Sequence, residues 1–166
     1  MGSGGDVTDG IVAAWARELP DIDGPALALA KRVARLAAVL DAATVAQLTA
    51  LGLTKAEYEI LVTLRAAGDP FTLRPSELSA RLRLTSGGTS NVLRRLTDTG
   101  MVVRDADETD ARGLWVRLTP AGAGRAEAAA RAVNRATVKL LRDVPPATAE
   151  SASGHLRDVL IALDDI

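Results

Sequence analysis

The feature that most limits the fold of this chain is a change of period. Up to Gly100 the apolar residues recur in steps of three and four. After it, residues 101–104 and 114–118 read as strands around a polar stretch, and beyond Pro120 the helical spacing returns. A chain written this way folds as helices carrying one small hairpin, with too few strands for a doubly wound sheet. Composition agrees: Ala and Leu dominate the apolar fraction, while only 2 Trp, 1 Tyr and 1 Phe occur in 166 residues. That favours close helix packing over a large antiparallel sheet of aromatic and β-branched pairs. The expected fold class is mostly α with a small β-hairpin.

Residues 1–5 are glycine-rich and are expected to form a flexible tail outside the fold. Val7, Ile11, Val12, Trp15 and Leu19 predict a short amphipathic helix over 6–19, which Pro20 and the stretch through Pro25 break. Leu29, Val33, Leu36, Leu40, then Gln47 or Leu48, and Leu51 draw one apolar stripe along 26–51. A helix that long exceeds what a small domain needs, and its natural use is dimerisation. Gly52 ends it, and Thr54 with Glu57 forms a capping box for a helix whose Tyr58, Leu61 and Leu64 face a core. Pro75 opens a short helix through Leu82, and Thr85 caps another carrying Val92, Leu93 and Leu96. Past the hairpin, Thr119-Pro120 starts a helix to about Leu141, and Pro145-Pro146 separates it from a last helix carrying Leu156, Val159, Leu160 and Leu163.

Most catalytic chemistry is excluded by what is missing. With 0 Cys there is no disulfide framework, thiolate metal site, cysteine nucleophile or thiol redox sensor, and the single His155 rules out His-pair metal motifs. Ser86-Gly87-Gly88 lacks a strand-to-helix nucleophile elbow, and Gly87-Gly88 lacks phosphate-loop spacing. The chain is therefore not expected to be an enzyme, to bind a metal or to need a cofactor. No stretch approaches 18 apolar residues without a charge, and the first residues carry neither the basic start nor the apolar run of a secretory signal. A soluble cytoplasmic protein with no membrane partner is the expectation. His155, in the last helix, reads as a surface or interface residue.

Two short helices joined by a tight turn and followed by a hairpin form the order of a winged helix-turn-helix, whose second helix enters a major groove. The solvent face expected for that helix, 86–97, is Ser86, Gly87, Gly88, Thr89, Ser90, Asn91, Arg94 and Arg95. Small residues at a helix N-terminus let the backbone approach phosphates, hydroxyl and amide groups can bond base edges, and an arginine can fork onto guanine or phosphate. Charge is placed to match: residues 74–104 carry +4 in a chain whose total is −1, leaving −5 for the rest. A basic island in an acidic protein is the footprint of a localised phosphate-facing surface. The bland competitor is a solvated helix face, and the functional competitor is a winged-helix protein-interaction module without specific DNA binding. The latter should expose an apolar patch rather than arginines.

Leu53-Thr54-Lys55-Ala56-Glu57-Tyr58-Glu59-Ile60-Leu61, Pro75-Ser76-Glu77-Leu78, Leu84-Thr85-Ser86-Gly87-Gly88-Thr89-Ser90-Asn91, Leu93-Arg94-Arg95-Leu96, Gly100-Met101-Val102-Val103-Arg104, Asp107-Glu108-Thr109-Asp110-Ala111-Arg112 and Leu118-Thr119-Pro120-Ala121-Gly122 occur in order. Together they resemble the MarR family of bacterial transcription regulators, over roughly residue 26 to the C-terminus. The resemblance implies a homodimer on double-stranded DNA, with terminal helices interleaved and two winged domains on a pseudo-palindromic operator, more often as a repressor. The organisation it implies is dimerisation helices 6–51, a winged helix-turn-helix domain 52–119 and dimerisation helices 120–166. It assigns the recognition helix to 86–97 and the wing to 105–113, where Asp110 would orient Arg112 toward the minor groove. Arg74 and Ser76, at the start of the first short helix, join the DNA-contacting set. Two departures stand out: Ala111 replaces a second basic wing residue, and Arg74 replaces the usual hydroxyl cap.

The resemblance also implies a small aromatic or anionic effector that releases DNA. The stretch from Trp15 to Asp23 is similar to the family's urate-responsive subgroup, where a tryptophan on this helix lines a pocket. Trp15, Glu59, Arg81 and Arg83 are the candidate ligand residues, with Glu59 standing where that subgroup favours Asp. The competing assignments are packing for Trp15 and an ion pair with Arg35 or Arg65 for Glu59.

Overall fold

The computed structural model describes residues 4–83, 85–106 and 114–163, with the side chain of Ser86 left out. The elements, in chain order, are α1 Val7–Glu18, α2 Gly24–Ala50, α3 Lys55–Ala66, β1 Thr72–Leu73, α4 Pro75–Leu82, α5 Ser86–Asp98, β2 Val102–Ala106, β3 Leu114–Leu118, α6 Pro120–Leu140 and α7 Pro146–Ala162. The chain divides into two compact units, 1–44 and 45–166, with the division inside α2.

In the first unit the Asp6 side chain caps α1, accepting from the backbone N–H of Thr8 at 2.8 Å and of Asp9 at 3.2 Å. Arg32 of α2 donates to both carboxylates, at 2.9 Å to Asp6 Oδ2 and 2.7 Å to Asp9 Oδ1. Its guanidinium is the leading reason that the Asp6 carboxyl lies low, at about 2. Along α2 the stripe foreseen from spacing is uncovered at its start, where Leu29, Val33 and Leu36 are between 41% and 43% exposed, and covered further along, where Leu40 is half-buried and Leu48 is 1% exposed; Val39, outside that stripe, is 45% exposed beside it. By length and composition α2 could cross a bilayer, with mean hydropathy 1.3 over its most apolar 18 residues. Lys31, Arg32, Arg35 and Asp41 are distributed along the same helix.

The second unit holds a closed core. Ile60, Leu61 and Leu64 of α3, Leu78 of α4, Leu93 and Leu96 of α5, Val102 of β2 and Val116 of β3 are all at most 1% exposed. The sheet is antiparallel in the order β1-β3-β2, with Val103 opposite Arg117 and Leu73 opposite Val116. The third strand is a finding that spacing did not foresee. β1 is two residues long, too short to show a period, and it exists because β3 supplies partners for its backbone rather than through its own propensity.

Two glycines make the step from α5 to the sheet and from the sheet to α6. Gly100, at φ +68°, takes the left-handed conformation that ends α5. Gly122 lies so close to the Met101 carbonyl that a Cβ there would collide with backbone. Thr119 secures the same corner, its Oγ1 donating to the Gly100 carbonyl at 2.7 Å and accepting the Gly122 N–H at 3.0 Å.

Candidate nucleic-acid interface

α4 and α5 are held at a fixed angle by a buried polar link. Thr89 is 1% exposed; its Oγ1 donates to the Thr85 carbonyl at 3.1 Å and receives a bond from Ser79 Oγ of α4 at 2.9 Å. This corrects its place on the solvent face. Residues 89, 93 and 96 share one side of an α-helix, so the phase that buries Leu93 and Leu96 buries Thr89 as well, and it cannot reach a base. Thr85 caps α5 as expected, accepting the Gly88 N–H at 3.1 Å. The turn between the helices bends at Arg83, which is left-handed at φ +50°. Leu84, within that turn, lies outside the described residues.

The opposite side of α5 carries Gly87, Ser90, Asn91 and Arg94, all exposed. A Cβ on Gly87 would meet nothing within 4 Å, so the first turn is open to close approach by another backbone. Arg94 Nη2 reaches Asn91 Oδ1 at 3.4 Å, keeping the guanidinium over the outward face. Gly88 is exposed beside the cap. Ser86 begins the helix.

Arg95 behaves differently from its neighbour. Its guanidinium is drawn back to the start of α3, donating to Glu57 Oε1 at 2.7 Å and to Thr54 Oγ1 at 3.2 Å. Glu57 is thus both the capping-box acid, accepting the Thr54 N–H at 2.8 Å, and the anchor of α5 through Arg95. Burial works to raise its carboxyl pKa, but the bonds from Thr54 and Arg95 outweigh that and hold it below the ordinary range. Sequence reading recognised only the cap, because no local spacing links residues 57 and 95.

Around this face the arginines are distributed on several elements. Arg104 of β2, counted in the basic island but not singled out, places Nη2 3.5 Å from the Ser90 carbonyl, beside the outward face of α5. Arg74 lies over the Trp115 ring, 4.7 Å from its centroid, and its backbone N–H donates to Glu77 Oε2 at 2.8 Å. Its side chain provides no hydrogen bond that caps α4, as its chemistry predicts. Ser76, in the first turn of α4, and Arg81 near its end are exposed. At the base of the wing Arg117 pairs with Asp105 at 2.9 Å. The wing tip with Asp110 and Arg112 lies outside the described residues.

Of the candidate ligand residues, Trp15 is 41% exposed in the first unit, while Glu59, Arg81 and Arg83 belong to the second. Arg65 is not the partner of Glu59: it pairs with Glu127 at 3.0 Å and stacks over Phe71. Among the described residues there is no cluster of three metal-ligating side chains, and His155 is exposed on α7.

Comparison with known proteins bears on this geometry. Residues 51–113 match the model of the MarR family. The chain is 29% identical over 158 residues to the HTH-type transcriptional regulator PecS of Dickeya dadantii, covering 93% of this chain and 90% of that protein. It is 38% identical over 103 residues to the HTH-type transcriptional repressor Rv2887 of Mycobacterium tuberculosis, covering 60% of this chain and 72% of the relative. Among solved structures, wild-type MarR from E. coli in its apo form superposes with a TM-score of 0.70 at 26% identity, over 80% of this chain and 96% of that one.

Proposed function

This chain belongs to the MarR family of transcriptional regulators, DNA-binding proteins rather than enzymes, and from that membership we propose that it is a homodimeric, effector-responsive repressor of a pseudo-palindromic operator, acting in the cytoplasm. The observation that carries the reading is the outward face of α5, where Gly87, Ser90, Asn91 and Arg94 stand exposed on a helix braced from behind by Thr89 and Arg95. Ser86, Gly88, Asp110 and Arg112 are assigned to the same interface, with Arg74, Ser76 and Arg104 at its margins as phosphate contacts. The exposed stripe of α2 supports a second copy of this chain as its cover. Arg35 and Asp41 on the same helix disfavour lipid, where each charge near the bilayer centre costs about 3 kcal/mol.

The effector is proposed to be a small aromatic or anionic molecule, urate being the first to try, with Trp15, Glu59, Arg81 and Arg83 as the residues that set the response. An exposed tryptophan and two exposed arginines are suited to stacking and to anion pairing. The test is fluorescence anisotropy on a labelled fragment from upstream of the reading frame, with random DNA as competitor, at two salt concentrations. Saturable binding that survives competitor, and that urate or salicylate reverses in the parent protein but not in Trp15→Ala, is the expected result. Absence of DNA binding by a folded dimer overturns the reading in favour of a protein-interaction module, and an unchanged effector response in Trp15→Ala removes that residue from the response.

A further inference from the structure

Trp115 has no place in the core that would account for it. It is half-buried on β3, yet it belongs neither to the buried cluster of the winged domain nor to the partly buried residues packed against that cluster. Val116 and Leu118 point into the cluster, so strand alternation turns Trp115 and Arg117 to the outer face of the sheet. Asp105, opposite Trp115 on β2, shares that face and is paired with Arg117 at 2.9 Å. The acid beside the ring is therefore already compensated.

The backbone brings Arg74 to the same place. β1 pairs with β3 through Thr72 opposite Arg117 and Leu73 opposite Val116, and the next step of that register sets Arg74 beside Trp115. Arg74 keeps strand geometry, with φ −75° and ψ 148°, up to the first residue of α4. Pro75 enforces this, because a residue before proline is turned away from helical backbone. The Arg74 N–H is satisfied by Glu77 Oε2 at 2.8 Å, while its guanidinium lies 4.7 Å from the centroid of the Trp115 ring. Tryptophan is the side chain whose face attracts a cation best.

We propose that Trp115 is a positioning residue for DNA binding: its ring holds the Arg74 guanidinium at the start of α4, where the first helix of a helix-turn-helix crosses the phosphate backbone. A guanidinium stacks through its flat face and takes a phosphate through its N–H edge, so the two contacts are compatible. Holding a long side chain in place before DNA arrives also reduces the entropy lost on binding. The stack ties α4 to a strand of the wing, so that the backbone contact of one and the placement of the other are set together. The inference rests on the assignment of Arg74 as a phosphate contact, and it adds the residue that aims it.

The test titrates the full chain and its variants onto a labelled random-sequence duplex by anisotropy over a series of salt concentrations, since a phosphate contact needs no particular sequence. Trp115→Ile keeps the strand propensity but removes the ring, and should weaken binding roughly two- to fivefold, the range of one exposed cation–π contact. It should also make log K fall less steeply with log salt, by up to about one in slope, as loss of a phosphate contact does. Trp115→Phe retains a ring face and should restore most of both. In an Arg74→Ala background, Trp115→Ile should cost nothing more. A loss that is the same at every salt concentration, persists in the Arg74→Ala background and accompanies a lowered urea midpoint would make Trp115 a support of the sheet and overturn the proposal. Binding by Trp115→Phe as weak as that of Trp115→Ile overturns it too, as does an unchanged slope in Trp115→Ile when the parent binds. A parent that binds neither this duplex nor the upstream fragment instead fails the repressor reading itself, and this inference falls with it.

Discussion

The winged domain and the long helix α2 treat their apolar residues in opposite ways. In the former, Leu61, Leu78, Leu93 and Val116 are sealed to 1% exposure or less by a helix, a hairpin and a cross-link between Ser79 and Thr89. In the latter, residues of the same kind, Leu29, Val33, Leu36 and Val39, each stand more than 40% exposed. The difference teaches which part is complete in one chain. A contiguous apolar stripe on an exposed helix is a surface suited to meet another surface, whereas the domain that carries α5 closes its core within one chain.

Substitutions can break that contrast. Leu93→Ala should cost the winged domain about 2–5 kcal/mol, because it deletes buried methyls where the neighbours cannot collapse, and urea unfolding would register it as a lowered midpoint. Next in size, Leu36→Asp with Val39→Asp should raise the dimer dissociation constant by roughly 30-fold or more, as for loss of an interface hot spot. Sedimentation would read it, and the monomer's winged domain should keep its secondary structure. A smaller effect is expected within α5: Arg94→Ala should weaken operator binding by about 1–3 kcal/mol. Arg95→Ala should act mainly by loosening α5 from Glu57, worth about 0.5–1 kcal/mol of stability at its half-exposed position. Equal losses of DNA affinity in the two variants, with no change in stability, would contradict the division of labour between them.

The finest test is electrostatic. Glu57 has a folded pKa below its ordinary 4.5, so the native state binds fewer protons there than the unfolded chain as pH falls. Its contribution is fully present above pH 4.5 and is lost as pH drops through the lower folded value. Glu57→Gln should therefore flatten the acid limb of the stability profile below about pH 4.5 and leave its shape near neutrality unchanged. An acid limb identical to that of the parent would separate Glu57 from the anchoring of α5.

Much of this is legible in the sequence, and the reasons are local. Gly52, Thr54, Pro75, Thr85 and Pro120 are punctuation whose chemistry acts within a turn or two, and the helices they delimit stand where spacing places them. What escaped notice depends on partners distant in sequence. β1 is defined by pairing with β3, 45 residues away at Thr72 opposite Arg117. Thr89 accepts a bond from Ser79 of the preceding helix, and Arg95 is turned by Glu57, 38 residues earlier. A polar residue on a recognition helix reads as a base contact until the phase of the buried leucines is known, and that phase separates Arg94 from Arg95.

Hydroxyl-radical footprinting of the protein on DNA from upstream of its reading frame, alongside the Leu36→Asp, Val39→Asp variant, tests the central claim most directly. The parent should protect two patches centred about one helical turn apart, 10–10.5 base pairs or a multiple, as two winged domains presented by one dimer require. The variant should lose the paired pattern while its winged domain stays folded. An unchanged pair of patches from a monomeric variant, or a single patch from a dimeric parent, would contradict the account.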